Sequence, residues 1–89
     1  MSERDEAEER RLVDVLRPFQ LSKLEEYRAK GHWANASRFG LIRMLQIEVD
    51  ELIDAIASKK PANEVARECA DVANFCAMIA DIALAREKS

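Results

Sequence analysis

The fold of this chain is decided by residues 41–81, which read LIRMLQIEVDELIDAIASKKPANEVARECADVANFCAMIAD. Two acidic pairs lie in this stretch at the same spacing, Glu48-x-x-Glu51 and Glu68-x-x-Asp71, and a short polar turn separates them. Residues three apart share one face of a helix, so each pair directs two carboxylates the same way. Two such helices packed antiparallel would bring four carboxylates together, where they repel one another unless a cation neutralises them.

The first acidic pair lies in a predicted helix over residues 38–58. With Leu45 at the centre of an apolar stripe and about 100° per residue, the other apolar positions fall within about 60° of it. These positions are Leu41, Ile42, Val49, Leu52 and Ile56. Acids on amphipathic helices normally lie opposite the stripe. Glu48 instead falls at its edge, and Glu51 lies one step further out.

The second pair lies in a helix predicted to begin near Pro61 or Asn63 and to end at residues 86–88. With Val72 at the centre of its stripe, five positions fall within about 40°. They are Val65, Glu68, Cys76, Ile79 and Ala83. The opposite face holds Ala70, Asn74 and Ala77. Because small or apolar residues almost surround this helix, it is predicted to be buried on more than one side, which favours an oligomer.

The remaining sequence predicts two more helical segments. Residues 3–17 form a charged helix, which Pro18 ends, kinks or restarts. Helical periodicity then continues to Lys30, with Gly31 as a C-cap. The loop that follows ends at an N-cap, either Asn35 or Ser37. The chain is therefore divided into a charged N-terminal helical segment, residues 1–18, and an all-α domain, residues 19–89.

Composition narrows the classes of function. The 89 residues are 48% hydrophobic and 35% charged, with a net charge of −3, which fits one packed helical domain and no basic surface for nucleic acid. No apolar run reaches the length of a membrane span or has the form of a signal peptide, so a cytoplasmic location without a membrane partner is expected. Cys69 and Cys76 are seven residues apart on one helix, too far for a bridge, and are expected to be reduced.

Carboxylates without histidine or cysteine suit hard cations. Mg²⁺ prefers oxygen ligands and is commonly shared between carboxylates and substrate phosphates, and Mn²⁺ is a possible substitute. A di-iron site would use Glu-x-x-His, whereas the only histidine here is His32, in the loop. Four acids on two helices therefore predict metal-assisted hydrolysis of a phosphate compound, in which a spare carboxylate takes a proton from water.

The sequence resembles a known family over residues 19–84. Glu48-Val-Asp-Glu51 followed by Glu68-Cys-Ala-Asp71 resembles the ExxE…ExxD signature of the all-α nucleoside triphosphate pyrophosphatases, the MazG-like group. Three further segments look like small single-domain members of that group. They are Lys30-Gly-His-Trp33, Glu51-Leu-Ile-Asp-Ala-Ile56 and Ala70-Asp-Val-Ala-Asn-Phe75.

The resemblance implies an all-α helical bundle completed as a homodimer or homotetramer. It also implies hydrolysis of a nucleoside triphosphate, often a non-standard or surplus deoxynucleotide, to a monophosphate and pyrophosphate. Its metal ligands would be Glu48, Glu51, Glu68 and Asp71, with the catalytic role assigned to Glu48 and Glu51. The chain departs from the pattern at Ile47, where many relatives carry a further acid. Loss of activity, or an altered number of metal ions, could follow from Ile47 at this position.

Four other residues are candidates for substrate binding, each with a structural alternative. Lys30 could meet phosphate or be a solvated lysine near a helix end. Trp33 could stack on a base or pack in the core. Asn74 could bond the nucleotide or close a polar contact between helices. Phe75 could line a base pocket or fill a dimer core.

The leading hypothesis is a Mg²⁺-dependent nucleoside triphosphate pyrophosphohydrolase with a role in clearing the nucleotide pool. The alternative is a non-catalytic helical dimer that binds a nucleotide or a protein partner and keeps the acids as a relic. The four intact acids favour the enzyme. Ile47 and the short chain favour the alternative. Release of pyrophosphate from a nucleoside triphosphate would discriminate the two.

Overall fold

The computed structural model describes residues 2–31, 33 and 36–88, and these residues form an all-α fold, as predicted. The helices are α1 Glu3–Asp14, α2 Arg17–Arg28, α3 Arg38–Ala57 and α4 Ala62–Lys88. Within the described ranges, no helix combines the length and apolar composition that crossing a bilayer requires. His32 and Asn35 lie outside the described residues.

A turn at Val15 and Leu16 separates α1 from α2. Ser2 caps α1, since its hydroxyl oxygen accepts the backbone N–H of Asp5 at 3.2 Å. Pro18 lies in the first turn of α2, where its missing N–H removes no intrahelical bond. Of the three outcomes predicted for Pro18, the structure therefore has a restarted helix. The side chains of α1 are exposed along its whole length, so α1 contributes little to the core.

A side-chain cap and a left-handed backbone angle set the two ends of α3. Ser37 is the N-cap of α3, because its hydroxyl oxygen accepts the N–H of Gly40 at 2.9 Å. At the other end, Lys59 has a left-handed φ of 55°, which turns the chain towards α4 within a few residues. Such a short connection makes α3 and α4 an antiparallel helical hairpin. α2 ends at Arg28, two residues before the predicted end.

The core lies where α4 packs against both α3 and α2. Leu41, Phe75 and Met78 form its buried centre, at 1%, 4% and 3% exposure. Tyr27 of α2 meets Phe75 edge-on, with the ring centroids 5.8 Å apart. The other side chains packed against this centre are partly buried: Leu24, Trp33, Ala36, Leu45, Ile79 and Ile82. This packing fixes which side of α4 faces the acidic residues of α3.

α4 is buried on more than one side, as predicted, but its most buried side differs from the stripe centred on Val72. Ala70 and Asn74, placed on the face opposite the buried stripe, are 0% and 4% exposed, whereas Cys76 and Ala83 of the predicted stripe are exposed. The physical reason is that α2 covers a second side of α4, and a helix with small or apolar residues all round does not reveal which side that is. Cys69 and Cys76 are both free, as predicted.

The stripe predicted for α3 is also displaced. Leu41 and Ala55 are buried, but Ile42 and Ile56 are 41% and 59% exposed. The buried side of α3 is therefore rotated towards Glu48, which is half-buried. Several apolar side chains of this helix are therefore left exposed outside the core.

Candidate functional site

Three of the four predicted acids meet between the helices of the hairpin. One carboxylate oxygen from each of Glu48, Glu68 and Asp71 lies within 4.8 Å of the others, and we call these residues the acid triad. Glu48 comes from α3, whereas Glu68 and Asp71 are one turn apart on α4. The antiparallel hairpin thus produces the convergence that the two acidic pairs predicted.

Glu51 lies at the rim of this group. Its side chain is exposed, and it does not belong to the acid triad. Its carboxylate is nevertheless close enough to act on Glu48 and Glu68. The structure therefore separates the four predicted ligands into three that converge and one that remains accessible to water.

The acid triad contains two buried carboxylate oxygens without a partner. Oε2 of Glu48 and Oε2 of Glu68 are shielded from solvent and have no hydrogen-bond partner among the residues described. Burial is the main reason why the pKa of Glu48 is raised to about 7, and contact with Glu51 and the charges of Asp71 and Glu68 add to it. Burial, followed by the charges of Glu51 and Asp71, also raises the pKa of Glu68. Buried acceptors of this kind normally have partners.

Glu48 is therefore expected to make stability fall as pH rises. Its native pKa of about 7 exceeds the ordinary 4.5, so the folded protein binds this proton more tightly than the unfolded chain does. Stability is lost between pH 4.5 and 7, by on the order of 2 kcal/mol after allowance for solvent screening. In metal-free buffer, Glu48→Gln should match the wild-type chain at pH 5 and exceed it at pH 7.5 in urea unfolding. An equal difference at both pH values would contradict this prediction.

A lysine from α2 completes the charge arrangement. Lys23 Nζ lies 3.2 Å from Asp71 Oδ2 and 3.5 Å from Glu26 Oε2, and Glu26 also accepts from Arg67 Nη2 at 3.0 Å. Burial acts to lower the pKa of Lys23, but Asp71 and then Glu26 outweigh it and raise that pKa. Sequence reasoning missed Lys23. Its spacing of three from Glu26 resembles an ordinary solvated pair on a helix surface.

A pocket of about 300 Å³ adjoins the acid triad, and we call it the acid pocket. Its walls include Glu51 and two lysines, Lys23 and Lys30, as well as the acid triad. The proposed phosphate-binding lysine, Lys30, is thus on the same pocket as the acids. Ile47 stands where many MazG-like sequences, which this chain resembles, carry an acid. It is 55% exposed and is not among the described residues that line the acid pocket, so the acid triad forms without an acid at this position.

Asn74 and Phe75 line the acid pocket but have other contacts. Asn74 Nδ2 donates to the backbone oxygen of Gln20, and its Oδ1 accepts from Gln20 Nε2, both at 3.1 Å. Asn74 therefore closes a polar contact between helices, and its bond to a nucleotide stays a prediction. Phe75 belongs to the buried centre of the monomer. Its packing role is therefore formed within one chain rather than across a dimer interface.

Trp33 lies beside the acid pocket rather than on it. Its Nε1 donates to Asp81 Oδ2 at 3.0 Å, and its ring packs against the core. Trp33 lines a second pocket of about 410 Å³, which shares Leu24 and Tyr27 with the acid pocket. Trp33 therefore packs against the core, and its stacking on a base stays a prediction.

The carboxylate-only composition of the acid triad suits an oxygen-binding cation such as Mg²⁺ or Mn²⁺. Two buried oxygens that have no partner among the described residues could also offer lone pairs to a ligand. Comparison of the chain with protein-family models, curated proteins and solved structures finds no significant match. The resemblance to the MazG-like group therefore rests on the quoted residues alone.

Proposed function

We propose that this protein hydrolyses a nucleoside or deoxynucleoside triphosphate to a monophosphate and pyrophosphate, with Mg²⁺ as its cofactor. The observation that carries the proposal is the acid triad, in which Glu48, Glu68 and Asp71 converge within 4.8 Å. Two of its members have buried carboxylate oxygens that find no partner in the described part of the chain. A cluster of this composition is costly to maintain without a cation, because like charges repel and burial removes water from them.

Glu48, Glu68 and Asp71 would hold the cation, with Glu51 beside them. Bound Mg²⁺ would polarise phosphoryl oxygens and neutralise charge on the triphosphate. Lys30, on the wall of the acid pocket, supplies a further positive charge for phosphate. These positive charges would stabilise the negative charge that is concentrated on the phosphoryl oxygens during phosphoryl transfer.

Glu51 is the proposed proton acceptor. It is exposed and stands outside the acid triad, so its carboxylate remains available to a water molecule. The water oxygen forms a bond to the α-phosphorus and passes its proton to Glu51. The bond between the α-phosphorus and the bridging oxygen breaks, and pyrophosphate leaves with the electron pair. Glu48 supports Glu51 through the contact between their carboxyl groups.

A panel of standard and modified nucleoside triphosphates tests this proposal, with Mg²⁺ or Mn²⁺ present. We expect equal amounts of pyrophosphate and nucleoside monophosphate from at least one member of the panel. Release of inorganic phosphate and a diphosphate instead would contradict attack at the α-phosphorus. Nucleotide binding without any turnover would favour the alternative, a non-catalytic helical dimer.

We also propose that the chain assembles with copies of itself, as a homodimer or homotetramer. Four exposed apolar side chains of α3 form what we call the outer stripe. They are Phe39, Ile42, Ile53 and Ile56, at 81%, 41%, 56% and 59% exposure. At 1.5 Å and 100° per residue, they cover roughly 25 Å of the helix within an arc of roughly 100°. Four large apolar side chains exposed on one side of a helix of a small protein are typical of an interface.

Ile53→Asp is expected to reduce the mass measured by light scattering at micromolar concentration to that of the 10.1 kDa monomer. A charge at the centre of the outer stripe would be buried without a partner in the assembly. Ile47→Asp is the matched control, because Ile47 is equally exposed but lies about 120° away around the helix. A monomeric wild-type chain, or an Ile53→Asp variant with the wild-type mass, would refute the proposed interface.

A further inference from the structure

A half-buried ion pair links α2 to the acid triad. The side chains of Lys23 and Asp71 are only 24% and 15% exposed, and Lys23 Nζ lies 3.2 Å from Asp71 Oδ2. Lys23 also lies on the wall of the acid pocket, as do Glu48 and Glu68. The ammonium group is thus the one protein cation that the described residues pair directly with a member of the triad.

Lys23 and a divalent cation would compete for the same carboxylate. A cation held by the acid triad would lie near Asp71, and the two positive charges would repel each other across a partly dehydrated site. Coordination would also use lone pairs of Asp71 that now accept from Lys23. Lys23 has a flexible four-carbon stem, so its ammonium group can move without a change in the helix.

We infer that Lys23 is an exchangeable counter-ion of the acid triad. Lys23 releases Asp71 when the cation binds and then pairs with phosphate groups in the acid pocket. The inference rests on the proposed function and adds a regulatory step to the same site. Before the cation arrives, Lys23 reduces the repulsion among the acids. After it arrives, the released ammonium group is on the pocket wall that would receive an anionic ligand. Cation binding and polyphosphate binding would therefore favour each other.

The inference is tested with Mn²⁺ alone and then with inorganic tripolyphosphate in the presence of saturating Mn²⁺. Mn²⁺ affinity is measured by electron paramagnetic resonance, and binding of the Mn²⁺–tripolyphosphate complex by calorimetry. We expect Lys23→Met to bind Mn²⁺ about fivefold to tenfold more tightly than the wild-type chain, because the competing charge is gone. The same variant should bind the tripolyphosphate complex more weakly. A purely structural role for Lys23 would not produce these opposite changes.

Arg17→Met is the control. It removes the ion pair of Arg17 with Asp14, which involves neither Lys23, its partner Glu26 nor the acid triad. Its affinities for Mn²⁺ and tripolyphosphate should equal those of the wild-type chain. Lys23→Arg keeps the charge and should keep the weaker affinity for Mn²⁺. Circular dichroism of each variant establishes that the helical fold is present.

The outcomes separate this inference from the proposed function. If the wild-type chain binds Mn²⁺ and Lys23→Met binds it equally or more weakly, the inference is overturned while the metal site stands. If Lys23→Met binds Mn²⁺ more tightly but tripolyphosphate equally well, the transfer of Lys23 to phosphate is overturned. If neither protein binds Mn²⁺ at millimolar concentration, both the inference and the metal-dependent function fail.

Discussion

Glu68→Gln is expected to remove most of the stabilisation by Mg²⁺ and most of the nucleotide hydrolysis that we propose. Saturation with Mg²⁺ at about one hundred times its dissociation constant would stabilise the wild-type chain by about 2.7 kcal/mol, a rise of about 10 °C or more in melting temperature. Without one carboxylate of the acid triad, most of that rise should disappear. Loss of several kcal/mol of charge stabilisation should reduce turnover by at least about 100-fold.

The metal-free melting temperature of Glu68→Gln provides an independent result. Glu68 has a raised pKa and a buried oxygen without a partner, so its charge destabilises the folded chain. The variant should therefore melt at or above the temperature of the wild-type chain in a chelating buffer. Asp50→Asn is the control on α3, because Asp50 is exposed and lies outside the acid triad. Retention of full Mg²⁺ stabilisation and turnover by Glu68→Gln would eliminate the proposed site.

The sequence predicted the structural features that depend on residues close together in the chain. The start of α3 at Arg38 follows from the Ser37 side chain, which satisfies a backbone donor of the first turn. The meeting of Glu48 with Glu68 and Asp71 follows from two helical spacings and a short connection. These predictions succeeded because each needs only helix geometry and the antiparallel packing of adjacent helices.

Contacts between residues far apart in the chain could not be predicted from local patterns. Asn74 is buried because it pairs with Gln20, 54 residues earlier in the chain, and no pattern within α4 indicates that partner. The position of Lys23 near Asp71 depends on the same α2–α4 packing. A helical wheel centred on Val72 therefore did not show that Asn74 lies on the more buried side of α4. The sequence predicted the acid triad but not the position of Lys23 beside it. The triad forms between adjacent helices, α3 and α4, whereas Lys23 comes from α2, far earlier in the chain.

Phe75→Ala is expected to destabilise the monomer fold by about 3–5 kcal/mol. Phe75 is 4% exposed, belongs to the buried centre with Leu41 and Met78, and contacts the ring of Tyr27 edge-on. Removing the ring leaves a cavity and also removes an aromatic pair worth about 0.5–1.5 kcal/mol. For a small domain with a total stability of about 5–15 kcal/mol, that loss is large. Urea unfolding at a fixed protein concentration measures it.

Leu12→Ala is the control for stability, and Phe75→Leu decides whether Phe75 acts through packing or through nucleotide contact. Leu12→Ala, at a 67% exposed position of α1, should change stability by less than about 0.5 kcal/mol. Phe75→Leu keeps most of the buried volume and should cost less than about 1.5 kcal/mol, so its folded state can be assayed for binding. If packing is the role of Phe75, Phe75→Leu binds nucleotide with nearly wild-type affinity. A folded Phe75→Leu variant that loses nucleotide affinity would instead place the base against this ring.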